Sequence, residues 1–127
     1  FVDNRDGTVT DKCTGLMWQK TTAPARYTWQ EALKYCETLT LAGHSDWRLP
    51  NINELLSIVD HGRFGPEELA IDPVFQAFPG LSLYWSSSTP ASQPGCGCAW
   101  LVSSGYGNDS LGDKASPYYV RAVRSGP

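Results

Sequence analysis

The sequence predicts a single α+β domain. Three observations predict it. Two helix starts stand in the chain as capping boxes, Thr28 to Glu31 and Asn51 to Glu54. Short strand signals lie before the first box and after the second. The chain has 127 residues, one domain's worth, and is 41% apolar and 12% aromatic. That composition supports a buried core and excludes a disordered chain.

Residues 1–20 read as a hairpin followed by a third strand. Phe1-Val2-Asp3 is a short strand, Asn4-Arg5-Asp6-Gly7 a turn and Thr8-Val9-Thr10 the return strand. Asp6-Gly7 supplies the positive φ of the turn. A second turn, Lys12-Cys13-Thr14-Gly15, leads into Leu16-Met17-Trp18-Gln19. Thr28 then caps a helix whose Trp29, Ala32, Leu33, Cys36 and Leu39 form one apolar stripe, with Gly43 as its C-cap. Pro50 precedes a second helix capped by Asn51, with Ile52, Leu55, Leu56 and Val59 on its apolar face and Gly62 at its end. Beyond residue 63, prolines at 66, 73, 79, 90 and 94 punctuate loops. Strand candidates follow at 83–87, 99–102 and 118–123. In the last, Tyr119, Arg121 and Val123 share one face, and Tyr118, Val120 and Ala122 the other.

Net charge is −3, so no broad basic face for nucleic acid is expected. No apolar run approaches the roughly 18 residues of a membrane span. The charge is distributed unevenly. From Pro73 to Asn108 there is no Asp, Glu, Lys or Arg, while seven serines fall there. Such a neutral stretch reads either as loops and buried strands or as a hydroxyl-and-aromatic surface suited to sugars or protein loops.

Catalytic and metal chemistry finds little purchase. His44 and His61 stand alone, each beside a turn glycine, and no P-loop, dinucleotide fingerprint, zincin helix or serine elbow is present. Asp3, Asn4, Asp6 and Gly7 mimic a calcium loop. With Gly7 at position six, however, Val2 and Cys13 occupy positions one and twelve, where carboxylates belong. No cofactor is expected. Cys96-Gly97-Cys98 has latent chemistry, since two close thiolates hold Cu(I) or exchange disulfides. The even count of four cysteines favours an oxidising compartment and a disulfide role. Three connectivities are open. A one-residue spacing strains a direct bridge, which favours pairing Cys96 and Cys98 with Cys13 and Cys36.

The motifs are jointly specific. The first block runs from Phe1-Val2-Asp3-Asn4 through Asp6-Gly7-Thr8-Val9-Thr10-Asp11 to Thr14-Gly15-Leu16-Met17-Trp18-Gln19-Lys20. Thr28-Trp29-Gln30-Glu31-Ala32, Tyr35-Cys36 and Gly43-His44-Ser45-Asp46-Trp47-Arg48-Leu49-Pro50-Asn51 follow. Tyr84-Trp85-Ser86-Ser87, Ala99-Trp100, Tyr118-Tyr119-Val120-Arg121 and Val123-Arg124 complete the set. Together they resemble the Lcl C-terminal domain family, typified by the C-terminal domain of the Legionella collagen-like adhesin. The resemblance covers essentially the whole chain. It implies a C-type-lectin-like fold of the formylglycine-generating-enzyme branch, with two helices flanking a small twisted antiparallel sheet. It also implies a secreted or cell-surface protein and, from its collagen-like relatives, trimers that bind sulfated glycosaminoglycans. Relatives often carry Cys where this chain has Ala122, so the resemblance leaves Cys36 without its usual partner and points to Cys96 or Cys98 instead. Asp46, Trp47, Arg48 and Leu49 match the strongest motif and read as scaffold: Arg48 pairs with a carboxylate and Trp47 fills the core. Trp18, Trp85 and Trp100 likewise read as core. Gln93-Pro94-Gly95 and Gly107-Asn108-Asp109 lack the triplets of calcium-dependent lectins.

The expectation is therefore one non-catalytic ligand-binding domain, residues 1–127, recognising glycans or host-surface polymers. Gln93, Ser103, Ser104, Tyr106, Asn108, Asp109 and Tyr118 are the candidate contacts, with Tyr106 stacking and the others hydrogen-bonding. For a sulfated ligand, Lys114, Arg121 and Arg124 are the candidate anion contacts. Two alternatives stand beside it. One is a homotrimeric fibre-assembly domain using an edge strand and Leu81, Leu83 and Leu111. The other is a copper-thiolate oxidase using Cys96 and Cys98.

Overall fold

The structure of the chain, a computed structural model, describes residues 1–21, 23, 25–58, 83–90, 97–103 and 109–125. β1 (Val2–Asp3), β2 (Thr8–Thr10) and β3 (Leu16–Gln19) form an antiparallel meander. Its first turn places Gly7 at φ +91°, as the Asp-Gly pair predicts. Helices α1 (Trp29–Thr38) and α2 (Ile52–Leu56) follow. β4 (Leu83–Trp85), β5 (Cys98–Ser103) and β6 (Asp109–Asp113) form a second antiparallel sheet. β7 (Val123–Ser125) returns to pair with β3. The domain is thus α+β, with sheets ordered β1-β2-β3-β7 and β4-β5-β6 in place of the single sheet expected.

Both helices begin where their capping boxes predict. The Thr28 side chain accepts from the Glu31 amide while the Glu31 carboxylate accepts from the Thr28 amide. Asn51 and Glu54 repeat the arrangement. Each box satisfies donors that the first turn leaves open, worth about 1 kcal/mol. The ends fall earlier than predicted. Leu39, in extended geometry, caps α1, and Gly43 (φ +79°) serves instead the tight turn joining Leu41 to His44. Ser57 caps α2, while Val59 and Gly62 lie outside the described residues.

Alternation along the strands divides the core in two. Met17, Trp85 and Leu101 join Ala32 and Cys36 of α1, with Trp47 and Leu49, in one cluster. Their neighbours Trp18, Tyr84 and Val102 join Leu55 of α2, with Ile58, in the other. Successive side chains of a strand point to opposite faces, so the helices lie on opposite sides of the strands. This burial on two faces explains the unbroken apolar runs of β3, β4 and β5.

The C-terminal segment belongs to both clusters. Tyr118, Val120 and Ala122 face the first, and Tyr119 and Val123 the second, in the predicted alternation. It becomes a strand only from Val123 because its earlier residues bond to several segments in turn. Tyr118 exchanges hydrogen bonds with Tyr27, and Tyr119 bonds to Leu83 and Trp85. The carbonyls of Val120 and Ala122 accept from the amides of Ala23 and Gln19. No single neighbour gives it a ladder.

The scaffold motif lies against β7. Arg48 and Val123 exchange backbone hydrogen bonds at 2.8 and 2.9 Å, and Trp47 is buried. The Arg48 guanidinium meets both oxygens of Glu54 at 2.6 and 2.7 Å, which is the carboxylate pairing predicted for it. Trp18 and Trp85 are fully buried, as expected of core residues, whereas Trp100 is half-buried.

Candidate functional site

Among the described residues, the predicted contacts do not gather at one place. Gln93, Ser104, Tyr106 and Asn108 lie outside the described residues, as do Cys96, His61 and Leu81. Ser103 is buried at the end of β5, and Asp109 is exposed at the start of β6. Lys114 follows the other end of β6, where its amide donates to the Gly97 carbonyl at 3.0 Å. The five residue steps from Asp109 to Lys114 span roughly 17 Å. The hairpin therefore separates these two sets of candidates.

Neither arginine is a surface contact. Arg121 is 1% exposed, and its guanidinium donates to the carbonyls of Gln19 (2.8 Å) and Lys20 and lies 5.8 Å from the Tyr84 ring. Desolvation lowers its pKa. Arg124 is buried too, with its guanidinium on Asp46 and 3.7 Å from the Met17 sulfur. Both cations are consumed in holding the C-terminal segment. That requirement is tertiary and leaves no mark on the local sequence.

The crossed disulfides are absent as well, because Cys13 and Cys36 are both free thiols. Cys13 is exposed in the β2–β3 turn, while Cys36 is sealed in the core face of α1. Ala122, fully buried in the same cluster, adds no second sulfur there.

Lys114 and Tyr118 do share a surface, assembled by the residues that enter α1. The Trp29 amide donates to the Lys114 carbonyl at 3.1 Å, and Tyr27 and Tyr118 exchange two hydrogen bonds of 2.7 and 2.8 Å. Two indoles tie this segment to β4 reciprocally. Trp85 Nε1 donates to the Tyr27 carbonyl at 2.8 Å, and Trp29 Nε1 to the Ser86 carbonyl at 3.0 Å. Tyr118 stands edge-on to Trp85 at 5.0 Å, and Tyr27 is tilted against Tyr35 at 5.2 Å. The Lys114 ammonium lies 4.1 Å from the centre of the Trp29 ring. Tyr27, Trp29, Tyr35, Tyr118 and Lys114 are all half-buried. Burial raises the pKa of the Tyr35 phenol, against the opposing hydrogen bond from Gln19. The result is a group of half-buried aromatic rings packed against the first core cluster, with the Lys114 ammonium over one of them.

Trp29 packs against the first core cluster beside Leu33 and Leu39, as the apolar stripe of α1 predicts; what a sequence reading misses is its half-exposure and the part Tyr27 plays beside it. The available signal is position: Trp29 directly follows the N-cap, where a side chain lies over the chain entering the helix. The other notable surface feature is an open depression of about 580 Å³ on α1, lined by Gln30, Glu31, Leu33, Lys34, Glu37 and Thr38. It shares no residue with the predicted contacts. Among the described residues, no three His, Cys, Asp or Glu side chains gather as a metal site. Nor is any helix among them long and apolar enough to cross a membrane. A family model described as the Lcl C-terminal domain matches residues 7–124. No curated protein matches the chain.

Proposed function

The chain belongs to the Lcl C-terminal domain family, and on that footing we propose that it is a non-catalytic, adhesin-like domain of an exported or surface-exposed bacterial protein that binds glycans. The aromatic surface of Tyr27, Trp29 and Tyr118 with Lys114 is the observation that carries this reading. The apolar face of a sugar ring stacks on an aromatic ring, and fixed rings lose little freedom on binding. The ammonium adds a charge-assisted contact to a sulfate or carboxylate, which favours acidic glycans such as sulfated glycosaminoglycans. Exposed Asp109 is a further proposed contact, and Gln93, Ser104, Tyr106 and Asn108 are proposed with it from their chemistry in the sequence alone. The same reading assigns the domain to the C-type-lectin-like fold of the formylglycine-generating branch. Its support is a pair of helices on opposite sides of antiparallel strands.

An array of neutral and sulfated glycans tests the function. Retention on heparin that falls on Lys114→Ala, with unchanged thermal unfolding, is the expected companion result. No hit on the array together with unchanged heparin retention overturns the proposal.

A second reading rests on a different observation. Phe1, Val2 and Leu111 are the exposed large apolar side chains among the described residues, and β1 and β6 are the outer strands of their sheets. Exposed apolar edges suit pairing between copies, as in a trimeric fibre. Light scattering decides: a strict monomer at high concentration rules this reading out.

A further inference from the structure

We infer that Lys114 is a charge-operated cap on Trp29, closed to neutral saccharides and drawn aside by anionic ones. This rests on the glycan reading above and adds a specificity determinant to that surface. The ammonium sits 4.1 Å from the ring centre, the space that a stacked sugar ring needs. The indole is not the part that moves. Its Nε1 is held by the Ser86 carbonyl and its backbone amide by the Lys114 carbonyl. The Lys114 backbone is fixed as well, its amide donating to Gly97. Only the lysine side chain is left to swing.

Its charge is available to a ligand. Among the described residues, no carboxylate lies within ion-pair distance of the Lys114 ammonium. The adjacent Asp113 carboxylate accepts from the Ala115 amide at 2.9 Å, within a turn closed by the Ser116 amide on the Asp113 carbonyl.

The magnitudes set the order of preference. An exposed cation–π contact is worth about two- to fivefold in an equilibrium constant. A hydrogen bond to a charged group is worth about tenfold or more. A sulfate thus outcompetes the ring for the ammonium, and a sugar hydroxyl does not. The anion that draws the cap aside also uncovers the surface on which its own sugar stacks.

Two measurements test this. The first titrates a dextran oligosaccharide and a dextran sulfate oligosaccharide of equal length into the wild-type protein and Lys114→Ala. The expected changes have opposite signs: neutral affinity rises about two- to fivefold, and sulfated affinity falls about two- to fivefold, the roughly tenfold ionic contact less the cost of uncovering the ring. The second follows the Lys114 side-chain proton signals by NMR. The indole shifts them upfield in the free protein, and they move back on adding dextran sulfate but not dextran. Unchanged neutral affinity in Lys114→Ala overturns the inference alone. So do ring-shifted signals that stay in place while the sulfated probe binds. Absence of binding by either probe to either protein overturns the glycan reading, and this inference with it. Should Lys114→Ala fail to fold, the NMR titration of the wild-type protein decides.

Discussion

Gly112 lies against both Tyr118 and Leu101, so close that a Cβ on it would clash outright with Leu101 Cδ1 and stand 3.0 Å from Leu101 Cγ and 3.1 Å from Tyr118 Cε2. The backbone there is not left-handed, so the obstacle to a side chain is steric. Gly112→Ala is expected to destabilise the domain by about 1–3 kcal/mol, the usual range for overpacking. Thermal unfolding checks the loss. Any accompanying shift of the Tyr118 ring should also weaken the proposed glycan binding in the same variant.

Arg124 and Asp46 share a two-pronged ion pair, at 2.7 and 3.1 Å, whose two ends differ in burial. The Arg124 side chain is 9% exposed and that of Asp46 63%. Truncating the buried end removes packing and hydrogen bonds together, so Arg124→Ala should cost about 2–3 kcal/mol. Asp46→Asn, at the exposed end, should cost clearly less. Urea unfolding of the two variants gives the order, and equal losses would contradict it.

Hydrogen bonding from Arg48 is the main cause holding the Glu54 carboxyl below its ordinary pKa of 4.5. The unfolded chain therefore binds this proton at a higher pH than the folded one. The stabilisation is complete above pH 4.5 and disappears as the pH falls through the lower folded value. The melting temperature should drop on acidification through that window, and by less in Glu54→Gln. Identical acid profiles would argue against the ion pair as a source of acid sensitivity.

The two free cysteines among the described residues should differ sharply in reactivity. Desolvation, ahead of the nearby Glu37 charge, pushes the Cys36 thiol up to about 12, while Cys13 is exposed. Since the thiolate is the reactive form, a maleimide at pH 8 should label Cys13 in the native protein and Cys36 only after denaturation. Peptide mass mapping separates the two sites. Rapid native labelling of Cys36 would falsify its placement in the core.

What the sequence makes legible is chemistry that closes over a few residues. The capping boxes at Thr28 and Asn51 and the Asp6-Gly7 turn carry their donors, acceptors and backbone freedom within one turn of chain, and all three form. β6 escapes the same reading because its one buried position is Gly112, which leaves no apolar residue to mark the inward face. The volume a side chain would fill there belongs to Leu101, on the paired strand β5, and to Tyr118, beyond the turn that follows β6. Arg121 and Arg124 mislead for the same reason. Their partners lie about a hundred and about eighty residues upstream, and nothing beside them in sequence announces a buried cation. The candidate surface is half legible: Lys114 and Tyr118 stand out by residue type, while Tyr27 and Trp29 join them only through tertiary hydrogen bonds.

The C-terminal segment cannot change length. Each of residues 118–124 is tied to its own cluster or its own bonding partner, so inserting or deleting one residue exchanges inner and outer roles beyond that point. Shifted by one position, the charged Arg121 would fall where Val120 or Ala122 now packs, and the apolar side chains would meet the carbonyls of Gln19 and Lys20. Insertions are therefore excluded from residues 118–124, whatever freedom the loops elsewhere allow. A library of single-residue insertions screened for folded protein should show that stretch as a gap.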